Sequence, residues 1–484
     1  MESVNIIQFL ENKSIFVTGA TGFLAKSILA EKILRIQPNT KKMYLLVRAE
    51  DTHSAMQRFL NEVVEKELFR VLREKWGDNL HSFISEKVAV VPGDVSEDNL
   101  GIRDSNLWEQ MLTQTNVVLN FAATTNFDER YDVALETNTM GALRVLSFAK
   151  KCVNINMILH VSTAYVCGEG SGVITEKPFY MGESLNETCK LDITAEKKLV
   201  EEKLNQLRQE NANEEAVTSI MKDLGIERAR LHGWPNTYVF SKAMGEMLLC
   251  CNKDNLPLVI IRHTMILSTY KEPFPGWIEG LRTIDGVIIG YGKGKLKCLL
   301  ANPDAIFDLI PADMVVDTML MVMVVNANQL CSADSILIYY VGSSMRNPIK
   351  FSNLHKFSYC YFTKNPYIDK NGKAVQISKG TVLDTWAKFQ RYMAIRYLLP
   401  LKNICINSDR KIKFVLRLAE LYKPYLFFNS TFDDSNTEKL RMKIRESGLE
   451  KDAIIGFDPK CINWEDYIIN IHIPGLVKHA VNYS

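Results

Sequence analysis

Residues 14–25 read Ser-Ile-Phe-Val-Thr-Gly-Ala-Thr-Gly-Phe-Leu-Ala, and this stretch decides the fold. Its first five residues form a mainly apolar run of strand length, and Gly19 follows where the chain has to turn. Apolar side chains then recur at helical spacing as far as Pro38: Leu24, Ile28, Leu29, Ile33 and Ile36. A strand, a glycine turn and a helix in that order are the context of a dinucleotide-binding fingerprint. The stretch therefore predicts a nucleotide-binding α/β fold.

The small residues of this stretch have separate expected roles. Gly19 permits the tight turn, and Gly22 lets backbone amides approach a pyrophosphate at the positive end of the helix. Ala25 stands where a third glycine is usual and is the next-smallest residue, so close packing of helix on strand is kept. An ordinary glycine-bearing turn between strand and helix is the alternative interpretation.

The next predicted strand, 43–47, ends at Arg48. Proteins of this fold that prefer NAD usually place an acidic residue there for the ribose 2′-hydroxyl, whereas an arginine suits a 2′-phosphate. Arg48 therefore favours NADPH as the cofactor, although a surface arginine after a strand is also common.

Two further strands end in candidate cofactor-binding residues. The strand 87–91 leads to Asp94, which either binds the adenine edge or caps the following turn. The strand 117–123 contains Asn120 and ends in small residues from Ala122, which leave room for a flat ring against the backbone.

The catalytic candidates lie on the fifth strand and on a later helix. The strand 157–161 ends at Ser162 and Thr163, and ligands of open parallel sheets bind beyond such carboxyl ends. Tyr238 and Lys242 are four residues apart and share one face of a predicted helix. An ammonium one turn away favours a phenolate, so the lysine is expected to lower the pKa of the tyrosine towards neutral pH.

The composition limits the class of protein. With 484 residues, 47% of them hydrophobic and 24% charged, the chain is a globular protein of more than one domain. A net charge of +2 gives no case for nucleic acid. The ten cysteines are scattered without metal-ligand spacing, so we expect reduced thiols and no metal. We also expect no signal peptide and no transmembrane span, because the longest apolar run is 319–325.

Taken together, these motifs resemble the extended short-chain dehydrogenase/reductases, and more closely the plant alcohol-forming fatty acyl-CoA reductases. The resemblance covers nearly the whole chain and is carried by these segments: 18–25, 122–132, 162–166, 233–246, 271–277 and 423–428. It implies a Rossmann-type, doubly wound parallel sheet in residues 1–345 and a mainly helical C-terminal domain in residues 346–484.

The resemblance also implies two NADPH-dependent hydride transfers that convert a fatty acyl-CoA, through an aldehyde, to a primary alcohol. In that scheme Tyr238 is the general acid, Lys242 holds the nicotinamide ribose, and Thr163, beside Ser162, is the active-site hydroxyl. The implied phosphate loop consists of Gly19, Thr21, Gly22, Phe23 and Leu24. Such proteins are typically associated with the endoplasmic reticulum on its cytosolic side.

The chain departs from the family pattern at two places. His263 follows Arg262 where the family has proline, and the segment between Leu399 and Lys413 is shorter than in relatives. His263 leaves open a cofactor-binding protein with little turnover. A sugar-nucleotide epimerase or dehydratase of the same fold is the other alternative, which the long C-terminal domain disfavours.

The C-terminal region carries an excess of basic residues over acidic ones. They recur between residues 391 and 423, and apolar residues are interleaved at helical spacing. This pattern is consistent with a peripheral membrane contact or a surface for CoA phosphates. A helix with a solvated basic face is the simpler interpretation, and no protein partner is inferable.

Overall fold

The computed structural model describes residues 6–25, 30–327, 336–398, 406–446 and 456–481. Its centre is a seven-stranded sheet in which every pair of neighbours is parallel. The strands are β1 (Ser14–Thr18), β2 (Lys42–Val47), β3 (Val88–Pro92), β4 (Val117–Asn120), β5 (Met157–Thr163), β6 (Leu258–His263) and β7 (Ile336–Val341). In space they follow the order β7-β6-β5-β4-β1-β2-β3. This is the predicted doubly wound order, with its reversal between β1 and β4.

Helices cover both faces of the sheet because its strands are apolar on both sides. Phe16, Val118 and Ile158 belong to one core, which includes the helix Gly141–Lys151. Their sequence neighbours Val17, Leu119 and Leu159 belong to the opposite core, which includes the helix Ala312–Ala327. The α-helices of residues 1–345 are Ile6–Leu10, Ala30–Ile36, Thr52–Phe59, Arg70–Trp76, Leu80–Lys87, Ser105–Gln114, Tyr131–Ala134, Gly141–Lys151, Ile193–Gln209, Glu214–Leu231, Thr237–Asn252, Thr283–Gly292 and Ala312–Ala327.

The C-terminal region is mainly helical, as predicted. Its α-helices are Phe351–Lys364, Trp386–Met393, Ile406–Leu426, Ser435–Glu446, Trp464–Asp466 and Ile473–Gly475. Its π-helical turns are Ala394–Leu398, Tyr467–His472 and Leu476–Val481. Four short strand pairs complete the fold: Ser171–Ile174 with Asn429–Phe432, Met265–Leu267 with Leu309–Pro311, Cys298–Leu300 with Thr381–Leu383, and Ile306–Phe307 with Ile349–Lys350. In the described part of the chain, no helix is both long and apolar enough to cross a membrane.

A buried Ser–His–Asp group fastens the last helices to the sheet domain. His472 Nε2 lies 3.1 Å from Asp285 Oδ1, and His472 Nδ1 lies 3.1 Å from Ser268 Oγ. All three side chains are essentially inaccessible to solvent. These hydrogen bonds join the turn Tyr467–His472 to the sheet domain and act as a structural contact.

One predicted helix differs from the structure, and two other predicted features fall partly on residues that the structure does not describe. The amphipathic pattern of residues 52–76 predicts one long helix, but this is wrong: the α-helix Thr52–Phe59 continues only as the π-helical turn Leu60–Val64, and a new α-helix begins at Arg70. Lys66 between them has an extended backbone, with ψ of 152°. The helix predicted after Gly22 is described only from Ala30 onwards. The segment of residues 399–413, which is shorter than in relatives, consists mostly of residues whose side chains are not described.

Candidate active site

The turn after β1 requires glycine at position 19. Its φ is +66°, which side chains rarely allow. A Cβ there would lie 2.7 Å from the backbone nitrogen of Ala122 and 2.8 Å from the carbonyl carbon of Phe121. The turn therefore packs directly against the chain that follows β4, at the point where the strand order reverses.

The other residues of the turn differ in what they offer a ligand. Gly22 donates its N–H to Gly19 O at 2.8 Å, so that amide is used within the turn. Gly22 is nevertheless exposed, and among the described residues, its chain neighbours aside, only Gly19 O lies within 4 Å of a Cβ added there. Thr21 is half-buried, whereas the side chains of Phe23 and Leu24 are buried in the core. The turn thus has an open, small-residue face that fits a nucleotide diphosphate.

Two guanidinium groups lie at the end of β2. Arg48 is exposed, and its carbonyl oxygen accepts a hydrogen bond from Arg58 Nη1 at 2.5 Å. Arg58 is also paired with Glu62 at 2.8 Å. The sequence indicated Arg48 alone, and the helix Thr52–Phe59 adds the second cation.

Asp94 follows β3 and makes a local turn. Its Oδ1 accepts from the backbone N–H of Ser96 at 2.9 Å and from Ser96 Oγ at 2.8 Å. This is the capping interpretation of Asp94, and the carboxylate is still half-buried at the strand end, beside Gly93.

The phenol of Tyr238 lies near the side chain of Thr163, close enough for the threonine hydroxyl to influence its pKa. Tyr238 lies on the helix Thr237–Asn252 and is 9% exposed, and Thr163 ends β5. Burial raises the pKa of the Tyr238 phenol to about 12, against the lowering effect of its hydrogen bond with Thr163. Ser162, by contrast, has a buried hydroxyl without a hydrogen-bond partner among the described residues.

Lys242 is enclosed one turn after Tyr238. Its Nζ donates to Val161 O at 2.7 Å and lies 3.1 Å from His160 Nε2. Burial lowers the pKa of Lys242 to about 8, although Glu246 acts in the opposite direction. The expected lowering of the tyrosine pKa towards neutrality is not found, because burial dominates at the phenol and the ammonium is directed to β5.

Asn120 is turned into the protein interior and joins this polar network. It is 2% exposed, its Oδ1 accepts from Thr18 Oγ1 at 2.7 Å, and its Nδ2 lies 3.0 Å from His160 Nδ1. Thr18 Oγ1 also accepts from the backbone N–H of Ala122 at 3.3 Å. Asn120 therefore connects the turn after β1 to His160, and Ala122 contributes its backbone.

Aromatic side chains from distant segments cover Tyr238. Phe127 stacks on Tyr238 with ring centres 5.8 Å apart, and Tyr425 stacks on Phe127 at 4.9 Å. The hydroxyl of Tyr425 accepts from Asn236 Nδ2 at 2.8 Å, and Asn236 caps the helix that carries Tyr238. The C-terminal helix Ile406–Leu426 is thereby part of the site.

One basic residue of that helix, Arg417, forms ion pairs with the sheet domain. Arg417 bonds Asp128 with two nitrogens, at 3.0 and 2.7 Å, and Asp223 at 2.8 Å. Lys423 lies over the ring of Trp386. Arg417 therefore attaches the C-terminal helix to the sheet domain and does not belong to a solvated basic face.

His263 lies at the end of β6, beside the site. It is half-buried, and its Nδ1 is 2.8 Å from Thr264 O. Burial lowers the pKa of His263 to about 4, so the ring is neutral at physiological pH.

Sequence reasoning missed four contributors to the site. His160 occupies an apolar strand, and Phe127 and Tyr425 come from segments far from Tyr238 in sequence. Arg282 places its guanidinium 5.0 Å from the centre of the Phe23 ring, above the turn after β1. For His160 the sequence did contain a local signal, because it is a polar residue within an otherwise apolar strand.

Comparison with known proteins gives the family of the chain. Two family models described as "Male sterility protein", the first an NAD-binding domain, match residues 17–319 and 392–483. Among solved structures, the terminal R domain from the myxalamid PKS-NRPS biosynthetic pathway has a TM-score of 0.60 at 16% identity, covering 96% of this chain and 91% of that one. A reductase domain of a nonribosomal peptide synthetase from Mycobacterium tuberculosis has a TM-score of 0.58 at 17% identity, covering 96% and 92%. At such identities these structures support the fold alone.

Curated proteins match far more closely. A probable fatty acyl-CoA reductase 4 from Arabidopsis thaliana is 54% identical over 99% of both chains. An alcohol-forming fatty acyl-CoA reductase from Simmondsia chinensis is 52% identical over 99% of this chain and 100% of its own length. With a doubly wound sheet, a glycine turn and a Tyr238–Lys242 helix in place, the chain belongs to the fatty acyl-CoA reductase family, within the extended short-chain dehydrogenase/reductases.

Proposed function

We propose that this chain reduces a long-chain fatty acyl-CoA, through a fatty aldehyde, to a primary alcohol and free CoA, with NADPH as the reductant. The observation that carries the proposal is the placement of Tyr238 near Thr163 at the carboxyl end of β5, with Lys242 one turn further on and bonded to Val161 O. Identities of 52–54% to proteins named fatty acyl-CoA reductases support the substrate class.

The two hydroxyls stabilise the oxygen that gains charge. Bound NADPH supplies hydride to the carbonyl carbon of the thioester and later of the aldehyde. Because the pKa of Tyr238 is about 12, the phenol keeps its proton at neutral pH and donates it to that oxygen. Thr163 donates a second hydrogen bond to the same atom, and Ser162 supports the strand end. Departure of the CoA thiol needs no covalent cysteine adduct.

Residues at the carboxyl ends of β1, β4 and β5 would hold the cofactor in this proposal. The turn formed by Gly19, Thr21, Gly22, Phe23 and Leu24 holds the diphosphate through its backbone, and Arg282 adds a cation above it. Lys242 holds the nicotinamide ribose. The remaining contacts would be Asp94 at the adenine and the backbone of Ala122 beneath the rings, while Asn120, turned into the interior, would support them from behind through Thr18 and His160.

Arg48 determines the choice of NADPH over NADH. We expect Arg48→Asp to weaken NADPH binding about 10–100-fold, since a hydrogen bond to a charged group contributes about 1.5–3 kcal/mol. NADH binding should improve, because a carboxylate there accepts from the ribose hydroxyls. Fluorescence titration with each cofactor measures both affinities. Arg208→Asp, the same charge change on an exposed helix, is the control; equal losses in both variants would contradict the assignment.

Product analysis tests the function itself. Purified protein with NADPH and a panel of long-chain acyl-CoA thioesters should yield primary alcohols, identified by mass spectrometry. A nucleotide sugar supplied instead should remain unchanged. Conversion of the sugar, or tight NADPH binding with no alcohol from any thioester, would overturn the proposal in favour of an epimerase or of a binding protein.

The compartment and the domain division are also part of the proposal. We assign the chain to the cytosolic surface of the endoplasmic reticulum as a peripheral protein, from its family. Residues 1–345 form the cofactor-binding domain with its substrate-binding insertions, and residues 346–484 form the C-terminal reductase domain. The aromatic contact of Tyr425 with Phe127 supports a role for the second domain at the substrate.

A further inference from the structure

Lys242 is the last member of a continuous buried chain of polar side chains. The chain runs from Thr18, through Asn120 and His160, to Lys242, with successive distances of 2.7, 3.0 and 3.1 Å. None of the four side chains is more than 2% exposed. Thr18 directly precedes Gly19, so the chain joins the nucleotide turn to the lysine.

The protonation of His160 and that of Lys242 depend on one another. Burial, aided by the Lys242 charge, lowers the pKa of His160 well below its ordinary range, so the ring is neutral and carries one hydrogen. An ammonium at Lys242 has only hydrogens to offer, which requires Nε2 of His160 to accept. A neutral amine there can instead accept from Nε2–H, and then Nδ1 accepts from Asn120.

We propose that His160 is a positioning residue for Lys242: through Nε2 it holds the lysine Nζ beside the helix that carries Tyr238, and it couples the charge of the lysine to the tautomer of the ring. This inference rests on the proposed function insofar as Lys242 is assigned to the cofactor ribose. His160 itself touches neither cofactor nor substrate in this role, and acts through the lysine.

The other charged and titratable groups around Lys242 are either paired with another residue or neutral at physiological pH. Glu246, one turn further on, is paired with Arg262 of β6 at 2.5 Å, and both are buried. His263, also on β6, is neutral because burial lowers its pKa to about 4. Tyr238, on the same helix, keeps its proton. Val161 O and His160 Nε2 are thus the direct partners that fix Nζ.

Two variants that differ by one methylene separate the contacts of His160. Glutamine places its amide near the position of Nε2 and keeps an acceptor for Lys242. Asparagine places its amide near Nδ1, keeps the contact with Asn120 and loses the one with Lys242. We expect His160→Asn to lower kcat about 10–100-fold, the usual cost of losing a supporting partner, and His160→Gln to stay close to wild type.

If His160 had only a structural role, its replacement would leave the pH dependence of NADPH binding unchanged. That pH dependence is therefore the quantity to measure. Wild-type affinity should fall as pH rises through about 8, where Lys242 loses its charge. In His160→Asn this alkaline limb should move by about half to one pH unit, the equivalent of one ordinary hydrogen bond. In His160→Gln it should stay in place. If the asparagine variant does not fold, His160→Ser tests the same loss.

The binding titration decides the inference without turnover. A limb that moves in the asparagine variant and not in the glutamine variant supports it. A limb left at the wild-type pH in His160→Asn, or moved equally in both variants, overturns it. If wild type forms no alcohol, the proposed function fails while the binding limb still tests His160; if alcohol forms and the limb does not move, His160 alone is wrongly assigned.

Discussion

Replacing Tyr238 by phenylalanine is expected to lower kcat for alcohol formation about 10²–10⁴-fold, the usual contribution of a general acid. The variant removes one oxygen and keeps the ring that stacks on Phe127. The protein should therefore fold and bind NADPH much as wild type does. Single-turnover assays with acyl-CoA and with the aldehyde should both be slow, because both hydride transfers build charge on the same oxygen.

Tyr44→Phe is the matched control for this experiment. Its hydroxyl lies on β2, 3.1 Å from Gln114 Oε1, and the residue is remote from Thr163. We expect kcat close to wild type for that variant. Alcohol formation by Tyr238→Phe at the wild-type rate would show that another group donates the proton, and the assignment of Tyr238 would be wrong.

Removing Arg262 is expected to produce the largest loss of stability. The guanidinium is 1% exposed and bonds Glu246 Oε2 at 2.5 Å, Lys177 O at 2.9 Å and Tyr340 OH at 3.0 Å. In Arg262→Met the carboxylate of Glu246 stays buried without its partner. Such a change costs about 3–5 kcal/mol, which thermal or urea unfolding measures as a much lower midpoint.

The double variant and an exposed pair provide the controls. Arg262→Met with Glu246→Leu should lose less than the sum of the single variants, because no unpaired charge is left. The Arg230–Glu420 pair is 51% exposed on each side, so Glu420→Gln should change stability by about 0–1 kcal/mol. Additive losses in the double variant would show that the two side chains do not act as a pair.

The nucleotide half of the fold is predictable because its signals are local. A run of apolar residues ending at Gly19 implies a strand and a turn, and apolar strands without alternation imply a sheet buried on both faces. Phe16 and Val17 lie in opposite cores, as that pattern predicts. The break at Lys66 was not predictable, since apolar spacing continues across it and only the local backbone departs from the helix.

The sequence predicts those residues of the candidate site that lie at the end of a strand or on one face of a helix. Tyr238, Lys242 and Thr163 follow from spacing and from the position of β5. His160 is a strand residue whose partner was visible only once the helix Thr237–Asn252 lay against the sheet. Tyr425 depends on docking of the C-terminal helix, which long-range pairs such as Arg417 with Asp128 hold in place. Those contacts follow from tertiary packing and leave no periodic signal.

Transfer of deuterium from labelled NADPH tests the central claim most directly. The protein is incubated with a long-chain acyl-CoA and NADPH deuterated at both hydride positions of the nicotinamide ring, and the product is analysed by mass spectrometry. Two successive hydride transfers predict a primary alcohol with two deuterium atoms on the hydroxyl-bearing carbon. An aldehyde with one deuterium as the final product, or an alcohol without two, would contradict the account.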